Sequence, residues 1–309
     1  MTPCETETSF ITTLRANFHR ELFERQVLTL SSSSKSKFGF IASNGDSGQT
    51  FSATISQLLA EKIAKNVNTL APKIPKKQDG QRLGNEFEDI CCNFVRDSFL
   101  ELSHLRPGRW LVEKVNTRNE SIIARFAQYA HLHDLKKLAE RYDDLATFLG
   151  NGYTIAPDLV IARFPEPDAC INQHSYLVDS NSAKRAMLRQ ENHPEADIKP
   201  FLHASISCKF TMRSDRAQNT RTEALNLIRN RKGRSPHIVA VTTEPTPSRL
   251  GSLALGTGDI DCVYHFALYE LIQVLKSNDD YEDALQSLNI MIDGHRLKDI
   301  SDLPLDLAV

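Results

Sequence analysis

Apolar residues recur along the first half of the chain at the three- and four-residue spacing of amphipathic helices. The helix expected within residues 1–30 carries its apolar side chains at Phe10, Leu14, Phe18, Leu22 and Phe23. The same spacing predicts helices over residues 55–66, about 85–102 and 124–149. The chain is therefore expected to open with helices.

Beyond residue 155 the pattern changes to short runs that are typical of β-strands. Residues 159–162 form an apolar run directly after Pro157-Asp158. Residues 203–210 alternate polar and apolar, which we interpret as a half-buried strand with one polar face. The alternation places two sets of side chains on opposite faces, Ala204, Ile206, Cys208 and Phe210 against His203, Ser205, Ser207 and Lys209.

A helix is predicted over residues 218–230, a β-branched strand over 238–243 and a strongly apolar helix over 262–275. Helices followed by a mixed sheet with helices around it define an α/β fold. We expect residues 1–309 to form one domain, with 1–80 as a helical and loop part and 81–309 as the core.

The composition is that of an ordinary globular protein, with 40% hydrophobic and 25% charged residues. No apolar run approaches the roughly 20 residues of a membrane-spanning helix. The acidic N-terminus argues against a secretory signal, and the six cysteines show no CxxC spacing. We therefore expect a cytoplasmic protein without a structural zinc site.

The formal net charge is −2, so the chain as a whole does not attract polyanions. Eight basic residues nevertheless lie between Lys209 and Arg234, against two acids, Asp215 and Glu223. Such a local surplus is expected of a surface that follows a phosphate backbone. A solvated helix face is the alternative explanation.

Asp158 and Lys209 lie on two predicted strands and could meet at one phosphate. Phosphodiester cleavage requires an anionic ligand for Mg²⁺ and a cation that steadies the attacking water. Nuclease motifs usually place an acid two residues before the lysine, but Ser207 occupies that position. Glu223 on the following helix and Glu88 on an apolar helix face are the candidates for the missing carboxylate.

Arg213-Ser-Asp-Arg216 follows the lysine at a predicted strand-to-helix junction. Arginine donates bidentately to guanine O6 and N7, and aspartate accepts from the cytosine amino group. The cluster could therefore recognise G·C pairs. A helix start capped by Ser214 or Asp215, with solvated arginines, is the alternative.

Together these residues resemble the CCGG family of type II restriction endonucleases, which have a PD-(D/E)xK fold with the second acid displaced onto a helix. The resemblance is densest from Gly84 onward. It is most specific in the segments 204–209, 213–219, 230–234, 244–249 and 297–309.

The resemblance implies a role for each residue. Asp158 and Glu88, with the main-chain carbonyl of Cys208, would bind two Mg²⁺ ions, and Glu223 would complete the acidic cluster. Lys209 would position the attacking water beside Ser207. The DNA-binding residues that the resemblance implies are Arg213, Asp215 and Arg216 for the central CCGG, Arg249 and Asp46 for the outer pairs, and Gln81 for the minor groove. From the basic surplus, we expect phosphate contacts at Arg229, Arg231, Lys232 and Arg234.

The resemblance further implies a homotetramer that cuts double-stranded DNA at GCCGGC after the first G. A cognate DNA methyltransferase would protect the host without binding this protein. Two other functions stay open on the residues alone: a repair or recombination nuclease of the same fold, and a sequence-specific DNA-binding protein whose nuclease site has decayed.

Overall fold

The structure, a computed structural model, describes residues 8–75, 78–115, 122–142, 156–194, 198–256 and 258–309. The chain forms two compact units. The first comprises Met1–Leu102, Ile206–Arg221 and Ile238–Val309, and the second Ser103–Ser205 and Thr222–His237. The prediction that residues 1–309 form one domain concerns joint folding and stays a prediction.

The main sheet is mixed, with the strand order β3-β4-β5-β6-β7-β8. β3 pairs antiparallel with β4, whereas β7 runs parallel to both β6 and β8. A separate antiparallel pair is formed by β1 and β2. The strands are β1 (Leu30–Ser32), β2 (Phe40–Ala42), β3 (Trp110–Lys114), β4 (Leu159–Arg163), β5 (Phe201–Lys209), β6 (His237–Thr242), β7 (Cys262–His265) and β8 (Leu297–Asp299).

Helices flank the sheet, which confirms the predicted α/β class. They are α1 (Phe10–Glu24), α2 (Thr50–Asn66), α3 (Gly80–Glu101), α4 (His131–Ala139), α5 (Asp168–Ile171), α6 (Ser214–Asn230), α7 (Pro247–Ala254), α8 (Leu268–Leu275), α9 (Glu282–Asp293) and α10 (Leu303–Asp306). No helix in the described part of the chain combines the length and apolar character needed to cross a membrane.

In the first unit, the apolar stripe of α1 packs on that of α3. The ring of Phe18 lies edge-on to Phe87 and Phe94, with centroid distances of 6.5 and 5.5 Å. Arg15 of α1 donates to both Glu270 of α8 and Asp299 of β8, at 2.6–2.9 Å. Both carboxylates are buried, so each needs this shared partner to offset the loss of water.

The second unit contains β3, β4 and α4. Register pairs Lys114 with Leu159, so Asp158 lies just before the first paired residue of β4. The carbonyl of Asp158 accepts a hydrogen bond from the amide of Val115 at 2.9 Å. The backbone at Asp158 is therefore held by the adjacent strand.

The predicted helix over 262–275 was wrong in its first part. Residues Cys262–His265 form β7, and the helix begins only at Leu268. β7 is buried along its whole length because it lies between β6 and β8. An apolar run of this kind has no periodicity that separates a buried strand from a buried helix.

The interpretation of residues 203–210 as a half-buried strand was also wrong. His203, Ser205 and Ser207 on the supposed polar face are buried, with exposed fractions of 8%, 4% and 7%. β5 lies between β4 and β6 and is covered on both faces. The alternating pattern predicted correctly which residues of β5 are polar, but it did not predict that both faces of the strand are buried.

The helix expected over 124–149 is shorter. Residues 123–125 and 127–129 form 3₁₀ turns, α4 covers His131–Ala139, and residues 143–149 lie outside the described part. Cys91, Cys92 and Cys208 are buried free thiols.

Candidate nucleic-acid interface and nuclease site

Asp46 is presented by a tightly anchored loop between β2 and α2. The Ser43 hydroxyl donates to the carbonyl of Val27 at 2.6 Å, and the amide group of Asn44 donates to the carbonyl of Thr243 at 2.6 Å. A Cβ on Gly45 would overlap the side chain of Ser56, so only glycine lets the loop lie this close to α2. The position of Asp46 is thus fixed by the loop's packing.

The segment between β5 and α6 presents Arg213, and the first turn of α6, directly after it, presents Arg216. Phe210, at the start of the segment, packs edge-on against Phe87 at 5.8 Å. Arg213 is exposed, whereas Arg216 is half-buried and donates to the hydroxyl of Thr211 at 2.6 Å. The two arginines therefore differ in how firmly the protein holds them.

The segment after β6 leads into α7 and presents Arg249. Pro247 occupies the first turn of α7, where its missing N–H is not needed. The Arg249 guanidinium forms an ion pair with Asp46, and its Nη1 lies 3.8 Å from the buried carboxylate of Glu244. Asp46 and Arg249, which are 203 positions apart in the chain, thus form one charged pair.

These three segments line one cavity of about 410 Å³, which we call the arginine cavity. Its charged side chains are Asp46, Arg213, Arg216 and Arg249. A second cavity of about 600 Å³ shares Asp46, Arg213 and Arg249. Four of the residues predicted to contact bases are therefore brought together.

The charge of the arginine cavity suits the edges of G·C pairs. Hydrogen bonding from Arg249 and from the backbone of Gly48, with the charge of Arg213, holds the pKa of Asp46 below its usual value. Asp46 is therefore a carboxylate at neutral pH and can only accept hydrogen bonds. Guanidinium donors beside such an acceptor match guanine O6 and N7 and the cytosine amino group.

The other predicted base contacts lie nearby in sequence but do not line the arginine cavity. Asp215 is exposed in the first turn of α6, and the side chain of Ser214 lies outside the described part. Gln81 is exposed in the first turn of α3, where its amide donates to the capping carboxylate of Asp79. Gln78 and Gly80, rather than Gln81, line the cavity.

Four of the predicted nuclease residues belong to the first unit. Ser207 and Cys208 are buried in β5, and Lys209 at its end is half-buried. Glu88 is half-buried on α3, directly after Phe87. Because Phe87 packs on Phe210, the backbone that carries Glu88 is held beside the end of β5 that carries Lys209.

Two predicted nuclease residues, Asp158 and Glu223, belong to the second unit and are half-buried. Asp158 directly precedes β4, and Glu223 lies in the middle of α6. Within the described ranges, no three or more His, Cys, Asp or Glu side chains are grouped as a metal site.

The predicted phosphate contacts cluster where α6 ends in the second unit. Arg229, Lys232 and Arg234 are exposed, whereas Arg231 is half-buried and donates to the carbonyl of Ile228. The amide of Lys232 donates to the carbonyl of Gln128 at 2.9 Å, which fixes the backbone after the helix. Exposed cations on a fixed backbone can follow a phosphate chain.

Three further residues belong to the site although the sequence pattern did not predict them there: Asn44, Thr243 and Glu244. Each is buried, and each bonds to a segment that lines the arginine cavity. A signal was present, since Glu244 directly follows a predicted apolar strand and precedes proline. A carboxylate at such a position is costly to bury without partners.

The family model and the relative that match this chain are both restriction enzymes. The family model described as NgoMIV restriction enzyme matches residues 18–309. The type II restriction enzyme NgoMIV of Neisseria gonorrhoeae is 52% identical over 295 residues, which cover 96% of this chain and 97% of that protein. The solved structure of the type IIF restriction endonuclease Bse634I with cognate DNA aligns with 89% of this chain and 92% of its own, at 13% identity and a TM-score of 0.36.

Proposed function

Since this chain belongs to the NgoMIV restriction enzyme family and is a type II restriction endonuclease, we propose that it hydrolyses double-stranded DNA at the palindrome GCCGGC. Cleavage after the first G leaves 5′-phosphate ends with four-base 5′ overhangs. The observation that carries this proposal is the arginine cavity, where Arg213, Arg216 and Arg249 converge with Asp46.

We assign the residues in and beside the cavity to different base pairs of the target. Arg213, Asp215 and Arg216 contact the central CCGG in the major groove, and Arg249 with Asp46 contacts the outer G·C pairs. Each bidentate arginine–guanine contact contributes about 1–3 kcal/mol of discrimination against a wrong base. Gln81 contacts the minor groove, and Arg229, Arg231, Lys232 and Arg234 contact phosphates.

Restriction endonucleases of this kind generally use a divalent metal ion, and the donors present here fit Mg²⁺. Asp158, Glu88 and Glu223 are half-buried carboxylates, and carboxylate and carbonyl oxygens are the hard ligands that Mg²⁺ prefers. We assign Asp158, Glu88 and the carbonyl of Cys208 as ligands of two ions, with Glu223 completing the acidic cluster. Bound Mg²⁺ lowers the pKa of water and offsets charge on the phosphate.

Within that site, the remaining residues handle the nucleophile. The Lys209 ammonium donates to the attacking water and orients it toward phosphorus, and the Ser207 hydroxyl lies beside it. A lysine is suited to this because its charge also stabilises the negative charge that grows on the phosphate in the transition state.

The test is to digest a sequenced plasmid in Mg²⁺ and to map the ends. Discrete fragments that end within GCCGGC are expected, whereas structure-selective nicking would favour the repair nuclease. Asp158→Ala and Lys209→Ala should abolish cleavage and keep specific binding. Undiminished cleavage by either variant would show that the substituted residue is not part of the catalytic site.

A matched pair on α3 tests Glu88. Glu88→Ala should lose cleavage, whereas Glu86→Ala should not, because Glu86 pairs with Arg25 at 3.3 Å instead. Equal losses of cleavage in the two variants would show that substitutions on α3 reduce cleavage only by destabilising the helix.

We also propose that the enzyme is a homotetramer of two dimers that acts on two DNA sites together. A two-fold dimer matches a palindromic target, and a second dimer binds a second site. Sedimentation should give four chains per particle, and plasmids with two sites should be cut faster than those with one. A dimer with equal rates on the two plasmids would contradict this assembly.

A further inference from the structure

Thr243 and Glu244, at the end of β6, bond to all three segments that line the arginine cavity. Both residues are fully buried, at 0% exposure. We call this pair the β6 junction.

The first two connections run through Thr243. Its carbonyl accepts from the side-chain amide of Asn44 at 2.6 Å, in the loop that carries Asp46. Its hydroxyl donates to the carbonyl of Phe210, in the segment that leads to Arg213. One residue therefore connects the Asp46 loop with the Arg213 segment.

The remaining connections run through the carboxylate of Glu244. One oxygen accepts from the amide of Met212 at 3.1 Å, the residue directly before Arg213. The other accepts from the amide of Thr246 at 3.1 Å, directly before α7, which carries Arg249. Arg249 Nη1 lies 3.8 Å away. The carboxylate thus bonds to the backbone of two arginine-bearing segments at once.

The carboxylate offers one accepting oxygen to each of the two amides. Glutamine would offer one accepting oxygen and turn an NH₂ group toward the other backbone N–H, which leaves that buried donor unsatisfied. The backbone of Glu244 is itself held, because its carbonyl accepts from Nε2 of His265 at 3.2 Å and its amide donates to Thr242. Burial raises the pKa of Glu244, while bonds from Thr246 and Met212 and the charge of Arg249 oppose that rise.

We infer that Glu244 is a positioning residue for sequence discrimination, which keeps Arg213 and Arg249 in fixed register with each other and with Asp46. This inference rests on the proposed function of the arginine cavity. Glu244 contacts no DNA; it acts through the two backbone segments. Loosening it lets the arginines adapt to incorrect bases, so selectivity falls more than cleavage at the correct site does.

The test compares Glu244→Gln with Glu270→Gln. Glu270 is another buried carboxylate of the same unit, bonded to Arg15 and away from the cavity. For each variant, kcat/KM is measured on the cognate site and on sites with one altered base pair, inner or outer. Thermal unfolding is measured in parallel.

We expect Glu244→Gln to reduce the cognate-to-altered ratio by about tenfold at both inner and outer positions, the effect of one buried donor left unpaired. Glu270→Gln should lower the unfolding temperature and leave the ratio unchanged. Thr243→Val, which removes only the hydroxyl bond to Phe210, serves if Glu244→Gln fails to fold, and should reduce the ratio as well.

An unchanged ratio in folded Glu244→Gln, or in Thr243→Val where Glu244→Gln does not fold, would overturn the inference. An equal fall of the cognate-to-altered ratio in Glu270→Gln would also overturn the inference, because the effect of Glu244 would then be one of general stability. The proposed target is checked separately with the unsubstituted enzyme. If that enzyme cuts a different palindrome, the target is wrong and the ratio is measured on the mapped site.

Discussion

Asp46 and Arg249 form an ion pair whose two side chains carry complementary hydrogen-bonding groups. Arg249 can only donate hydrogen bonds, and Asp46, with its pKa lowered by the Arg249 hydrogen bond, can only accept them. A G·C pair presents guanine acceptors and a cytosine donor in the major groove. The ion pair therefore already places a donor beside an acceptor for the outer base pair of the proposed target.

At the same scale, Arg213→Ala should remove specific binding. Losing one bidentate contact costs about 1–3 kcal/mol, so the affinity ratio between cognate and altered duplexes should fall at least about fivefold. Fluorescence anisotropy with Ca²⁺ in place of Mg²⁺ measures binding without cleavage. Arg20→Ala, an exposed arginine of α1, is the control. An unaltered ratio would remove Arg213 from base recognition.

At the scale of elements, α6 illustrates how one helix can carry two kinds of contact. Its first turn holds Asp215 and Arg216 beside the segment proposed to contact bases, whereas its end leads to exposed Lys232 and Arg234. Phosphate contacts add affinity without sequence information, and base contacts add specificity. The proposed base contacts and the proposed phosphate contacts therefore lie toward opposite ends of α6.

This separation predicts the salt dependence of binding. Lys232→Ala and Arg234→Ala should each reduce the slope of log K against log salt by about 0.9 for each subunit bound to the duplex, because each removes one phosphate neutralisation per subunit. Binding to cognate and random duplexes should weaken equally. A variant that keeps the full slope, or that weakens only the cognate complex, would contradict its assignment to phosphate.

At the scale of the molecule, buried histidines connect stability to pH. His265 is fully buried; its Nδ1 accepts from the amide of Ala267 and its Nε2 donates to Glu244. Burial lowers its pKa from 6.5 to about 4. Between pH 6.5 and 4, this imidazole is therefore protonated in the unfolded chain but neutral in the folded chain. The free energy of unfolding consequently falls as the pH falls from 6.5 toward 4.

The size of this effect follows from proton linkage. His265 should remove about 1.4 kcal/mol of unfolding free energy per pH unit, or about 2 kcal/mol between pH 6.5 and 5.0. Urea unfolding of His265→Gln should show a correspondingly smaller loss over that interval. His174→Gln, an exposed histidine, should keep the full loss. Identical pH profiles for the two variants would exclude His265 as a source of acid sensitivity.

The sequence by itself determined the elements whose pattern is local. The apolar stripes of α1 and α3 and the β-branched run of β6 were predicted correctly, because a helix or strand with a distinctive period shows it in its own residues. It also determined the candidate chemistry, since the residue types around Lys209 and Arg213 are those that phosphate cleavage and G·C recognition require. Their catalytic and base-contacting roles stay predictions.

Only the tertiary structure decided which neighbours each element has. β7 was predicted as helix and β5 as half-buried, because the strands beside them, and not their own periodicity, set their conformation and burial. Asp46 and Arg249 are separated by 203 positions, and Glu244 acquires its partners from segments that fold beside it. A sequence pattern indicates which side chains avoid water, whereas packing between distant segments determines which groups those side chains contact.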